Sequence, residues 1–168
     1  MRILVIGLAG LAAAAPLPLQ PPPDSLAIAS IRDAYARIER GLPAYRRVRH
    51  DLVDFSTEGG YLDAWFDGPH VKKLEAMYYG EMGRSSEAYY FTNDTLVFVY
   101  ANTERYDRPL SGHVVGRDEN RFYFHAQRLI RASNGTATRA SEVQRTAQLL
   151  VACASAAPSD TAACTAPN

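Results

Sequence analysis

Only two cysteines, Cys153 and Cys164, occur in the 168 residues, and no cysteine precedes them. A lipid-modified cysteine near the start is thereby excluded, and so is a scaffold built from several disulfides. Neither charge is in excess, with 18 Lys and Arg against 18 Asp and Glu. That balance removes the counterion-driven attraction on which nucleic-acid binding depends, so no nucleic acid is expected as partner. Catalytic motifs are missing as well. The four histidines, His50, His70, His113 and His125, form no HExxH or HxH, there is no GxSxG, and Gly59-Gly60 is too short to cradle a phosphate. Ten residues separate the cysteines, which matches no usual zinc spacing, and no histidine follows His125, so neither metal nor cofactor is expected.

One long apolar run is present, and it opens the chain. MRILVIGLAGLAAAAPLPLQ has a basic start at Arg2, an apolar stretch from Ile3 to Ala15, and small residues for a peptidase. A helix of about 13 residues is roughly 20 Å long, short of the roughly 30 Å a membrane core demands. Cleavage before Ala15 avoids a proline at the attacked bond. Residues 1–14 thus read as a signal peptide, the protein as periplasmic or extracellular, with no stable membrane anchor after cleavage. Loss of Arg2 leaves the remainder at a net charge of −1.

An oxidising compartment makes a Cys153–Cys164 disulfide the default. Ala, Ser, Thr and Pro dominate after Ala154, so 155–168 reads as a flexible C-terminal tail, and the bridge is expected to contribute little to the core. Prolines 16, 18 and 21 to 23 make 15–23 a stiff leader. The residues between, 24–154, are enough for a single domain with one hydrophobic core.

Within it the period of the apolar residues changes twice. Ile28, Ile31, Tyr35, Ile38 and Leu42 step by three or four, with Asp24 or Ser25 to start a helix and Gly41 and Pro43 to end it. From about Arg49 to Ala132 the period is two: YLDAWF, VKKLEAMYY, SSEAYYF, TLVFVYA, RFYFHA and RLIRA are separated by turn signals. A second helix fits Ser141 to Ala154. The expected fold is α+β, an antiparallel β-meander of five to eight strands flanked by an N-terminal and a C-terminal helix, these packed together or singly on one face.

Hairpin closure sets the register. A three-residue loop at Asp67-Gly68-Pro69 places Leu62 opposite Leu74, and a four-residue closure from Gly80 to Gly83 places Leu74 opposite Tyr89 and Lys73 opposite Tyr90. One face then gathers Leu62, Ala64, Phe66, Leu74, Ala76, Tyr78, Tyr89 and Phe91, extended by Leu96 and Phe98, as the core. The other gathers Tyr61, Asp63, Trp65, Lys73, Glu75, Met77, Tyr79, Arg84 and Tyr90, with Val97 and Val99. Aromatic planes supply area and charges supply direction, so this face suits a glycan or a peptide, with Trp65, Glu75, Tyr79 and Tyr90 as the candidate ligand-binding residues. Cross-strand aromatic and charged pairs also stabilise sheets without any ligand. Glu75 and Glu87 point to opposite faces, which argues against a shared acid–base role.

GGYLDAWFDG, VKKLEAMYYGEMGRSSEAYYF, LVFVY and ENRFYFHAQRLIR, preceded by IRDAYARIE, resemble a family of small exported bacterial proteins of unassigned function with helix, β-meander, helix order. The resemblance covers about residues 25 to 155 and implies fold and export. It supplies no catalytic residue. Where that family favours Asn-Gly turns after the aromatic pair, this chain has Thr92-Asn93-Asp94 and His125-Ala126-Gln127. The function class the sequence favours is a non-catalytic binding module. A small hydrolase or metal-dependent enzyme with a site assembled only on folding is the second reading, and a structural envelope protein the third.

Overall fold

The computed structural model describes residues 23–134, 137–157 and 160–166. The signal peptide expected over 1–14 and residues 15–22 of the leader expected over 15–23 lie outside the described residues, and Pro23 belongs to the first helix instead of the leader. Helix α1, Pro23–Gly41, opens on a proline whose missing N–H is no loss in a first turn, with Asp24 near its positive end and Arg40 near its negative end. Seven antiparallel strands follow: β1 Arg46–Leu52, β2 Gly60–Asp67, β3 His70–Gly80, β4 Gly83–Thr92, β5 Thr95–Tyr106, β6 Val114–His125 and β7 Arg128–Ala132. They lie side by side in chain order. Helix α2, Ala137–Ser155, and a 3-10 turn at Thr161–Cys164 complete an α+β fold.

Two of the two-residue hairpin turns are built from left-handed, non-glycine backbone. Asn93 and Asp94 have φ of 49° and 56°, and Ala126 and Gln127 have 47° and 62°. The turn geometry that Asn-Gly would supply is therefore present at both places. Asn and Asp tolerate it, whereas Ala126 and Gln127 are held there against their preference by the strands they join.

Register confirms the β3–β4 pairing, with Leu74 opposite Tyr89 and Lys73 opposite Tyr90. The β2–β3 pairing differs from expectation. Leu62 faces Ala76, and Ala64 faces Leu74, because the turn is Gly68-Pro69 alone and Lys72 is an extra residue opposite the Trp65–Phe66 step. The slip is two residues, so every side chain keeps its face. A second bulge at Val97 does change the faces. Tyr90 pairs with Phe98 while Phe91 pairs with Leu96, so Phe98 leaves the face on which the sequence placed it and joins Tyr90, and Val99 moves to the opposite face beside Tyr89.

The helices do not share a face. α2 lays Val143, Ala147, Leu150 and Cys153 onto Leu62, Leu74, Tyr89, Phe91, Val99, Phe122 and Phe124. α1 lays Ile28, Ile31 and Ile38 onto Ala88, Tyr90, Phe98 and Tyr123 on the reverse side. The sheet is thus the middle layer of three. Two aromatic faces explain the arrangement: consecutive large side chains in β4 (Tyr89, Tyr90, Phe91), β5 (Phe98, Val99) and β6 (Phe122, Tyr123, Phe124) fall on alternate sides, and each side needs a cover. Beyond β1, the C-terminal segment runs parallel to Val53, whose N–H donates to Cys164 O at 2.9 Å and whose carbonyl accepts from Ala166 N at 2.9 Å.

Candidate functional site

The four residues singled out from sequence do share one face, opposite Leu62 and Leu74, but they do not share one environment. Tyr90 lies beneath α1, 4% exposed, its hydroxyl donating to Glu39 Oε1 at 2.7 Å. Burial, reinforced by the Glu39 carboxylate, pushes the Tyr90 phenol well above its ordinary range. Tyr79 is exposed near the far end of β3. Between them, Trp65 and Glu75 flank Lys73. The Lys73 ammonium lies 2.9 Å from Glu75 and 3.1 Å from Glu39, and 5.1 Å from the Trp65 ring centre. Burial lowers the lysine's affinity for its proton, yet the hydrogen bonds to Glu75 and Glu39 outweigh it and hold the group above the usual lysine range.

The uncovered part of this face, over β1 to β3, is internally satisfied. Asp63 accepts from Arg47 Nε at 3.1 Å and from Arg49 Nε at 2.8 Å, while the same two guanidinium groups stack on Trp65 and Tyr61. A similar bridge spans β4 to β6, where Glu104 accepts from Arg84 Nε at 2.7 Å and Arg117 Nε at 3.1 Å. A ligand on this surface would have to displace existing partners.

Both bridging carboxylates titrate below their ordinary range. In Asp63 burial pushes the value up, but hydrogen bonds from Arg49 and Arg47 prevail; in Glu104 the hydrogen bonds from Arg84 and Arg117 lower it. A folded-state value below the unfolded one contributes stability above the unfolded pKa of about 4, and that stability is lost as pH falls through the folded value. Urea unfolding at acid pH is expected to need progressively less denaturant below about pH 4. The double variant Asp63→Asn, Glu104→Gln should flatten this acid limb. A limb as steep as the parent's would show that other carboxylates set it.

Concavity lies elsewhere on the same face. Where α1 ends its cover, a cavity of about 290 Å³ opens between Ile31, Arg32 and Tyr35 of α1, Phe98 and Tyr100 of β5, and Arg121 and Tyr123 of β6. Its floor is two cross-strand pairs, Phe98 opposite Tyr123 and Tyr100 opposite Arg121. The rings brace one another: Phe98 and Tyr123 centres are 4.9 Å apart, and Tyr35 meets Phe98 edge-on at 5.7 Å. Arg121 lies 5.2 Å over the Tyr100 ring and pairs with Glu119 at 3.1 Å, and Arg32 is exposed on the helix side. Sequence reasoning missed these lining residues because Phe98 reaches this face only through the bulge at Val97.

Other chemistry-bearing groups lie outside this cavity. His70, at the start of β3, bonds Asp94 at 2.7 Å, and His113, in the loop before β6, faces Asp107 at 3.6 Å, both pairs exposed. Glu87 is buried under α2, accepting from the Tyr89 hydroxyl and from Arg139 at 3.0 Å. Cys153 and Cys164 form the expected disulfide, with Cα atoms 4.7 Å apart, and both sit in the core rather than at its margin. His50 of β1 is buried beside them. No known family, curated protein or solved structure matches the chain.

Proposed function

We propose that the protein is an exported, non-catalytic binding module that receives a small, single-ring acid in the aromatic cavity between α1 and strands β5 and β6. The carrying observation is the cavity's lining: four aromatic rings with the two arginines, Arg32 and Arg121, beside them. Its volume stands at the low end of ligand pockets, which limits the occupant to about one ring with its substituents. Aromatic planes take the ring's faces, and a guanidinium prefers a carboxylate partner over a neutral one. An aromatic acid, or one uronic acid residue of a glycan, satisfies both demands. The apolar opening run and the disulfide support export, and no described helix is long and apolar enough to cross a membrane.

Calorimetric titration with benzoate-type and uronate ligands, each beside its neutral amide, tests the reading. The acid is expected to bind at least about tenfold more tightly than the amide, the scale of one charged hydrogen bond. Arg121→Gln should erase that preference, and Tyr35→Ala should weaken acid and amide alike. Absence of binding by every acid, or an acid preference untouched by Arg121→Gln, would refute the assignment.

A further inference from the structure

The corner where β1, α2 and the C-terminal segment meet holds three metal-ligating side chains that no spacing rule brings together. A ring nitrogen of His50 and the Sγ atoms of Cys153 and Cys164 all lie within 4.8 Å of one another. Cys153 and Cys164 are 0% and 2% exposed, and His50 is 8% exposed. His50 Nε2 is buried and has no hydrogen-bond partner, an arrangement proteins ordinarily avoid unless the atom has another use. Around it the core is apolar, with Leu52, Leu62 and Leu150.

We propose that reduction of the Cys153–Cys164 disulfide converts this corner into a Zn²⁺ site with two thiolates and the His50 imidazole as ligands. A dithiol reductant delivers two electrons and two protons to the S–S bond, leaving two thiols and its own cyclic disulfide. Zn²⁺ then replaces the two thiol protons, which pass to solvent, and neutral His50 donates a ring lone pair. Donor atoms around tetrahedral zinc stand about 3.5–4 Å apart, so the sulfurs must separate once their bond is gone while His50 is already close. Cys164 ends a short 3-10 turn rather than a strand or long helix, so its side chain has the lighter anchorage.

Charge selects the ion. Two thiolates with Zn²⁺ make a neutral group, which an apolar core accepts, whereas a monovalent soft ion would leave a buried net charge of −1. Three protein ligands leave the fourth position for a neutral water. The oxidised protein has its sulfurs bonded to each other and cannot bind, so the redox state gates the site.

The test is anaerobic titration of the reduced full chain with Co²⁺, followed by Zn²⁺ displacement, with far-ultraviolet circular dichroism recorded at each step. Expected are one equivalent of Co²⁺, a thiolate-to-cobalt charge-transfer band and the intense visible bands of a tetrahedral site, all erased by Zn²⁺ and absent from the oxidised protein. His50→Leu should weaken Co²⁺ at least about tenfold and change the visible bands. A folded reduced chain that takes no metal, or one whose Co²⁺ spectrum is unchanged by His50→Leu, overturns the proposal. Should reduction unfold the chain, Zn²⁺ is expected to restore the native dichroism, and failure to do so overturns it equally.

Discussion

Phe122→Ala is expected to destabilise the domain by about 3–5 kcal/mol. Phe122 is 0% exposed and faces Val99 across the β5–β6 ladder, in the cluster that α2 seals with Val143 and Leu150. Truncation removes the ring's transfer free energy and leaves a cavity that the paired strands on either side are poorly placed to close. In a domain of this size the thermal midpoint should fall by roughly 10 °C or more. Urea unfolding monitored by circular dichroism gives the comparison, and a loss below about 1 kcal/mol would show that the site collapses freely around the missing ring.

Removing both cysteines, as Cys153→Ala with Cys164→Ala, is expected to be the next largest effect, about 3 kcal/mol from the released chain entropy of the closed loop. The composition of residues 155–168 suggested a much smaller figure, because a bridge inside a frayed tail constrains nothing of consequence. Both sulfurs instead lie in the core, and the segment they hold hydrogen-bonds to Val53 on either side of its peptide. The thermal midpoint should fall by roughly 6–12 °C. A shift of only a few degrees would restore the view that the tail is loosely attached.

Much of the architecture was legible because the local signals were strong. Gly41 and Pro43 marked the end of α1, the turn dipeptides marked the hairpins, and Gly80 to Gly83 fixed the β3–β4 register correctly. Strand β1 escaped notice. RRVRHDL carries four charged residues in seven, and only the alternation of Val48, His50 and Leu52 betrays its inward side. Sequence left open whether the helices pack together or singly, and only the structure shows one on each side of the sheet, with Phe98 carried to the α1 side by the bulge at Val97.

The aromatic and charged face was legible in the sequence, whereas the cavity beside it was not. Aromatic and charged residues on the face opposite Leu62 were correctly grouped, yet Trp65, Glu75 and Tyr90 are engaged with Lys73, Arg47 and Glu39. The cavity arises from Arg121 and Tyr123 meeting Tyr100 and Phe98 on the α1 face, a face that Phe98 shares with Tyr90 only through a one-residue insertion invisible to periodicity. The His50 corner was hidden for another reason. Its three members lie on β1, α2 and the last turn, and only tertiary docking brings them together.

The serial strand order has a kinetic corollary. Each strand finds its partner in the chain immediately before or after it, so hairpins can zip without large loops having to close first. The exception is the junction of Val53 with Thr165, which joins the beginning of the sheet to the end of the chain. That junction joins residues far apart in the chain, so it is expected among the later events of folding. Contacts made after the rate-limiting barrier govern the speed of unfolding more than the speed of folding. The Cys153–Cys164 bond, by keeping the final segment at its post, is therefore expected to act chiefly as a brake on opening, its reduction shortening the lifetime of the native state while leaving the rate of its formation nearly untouched.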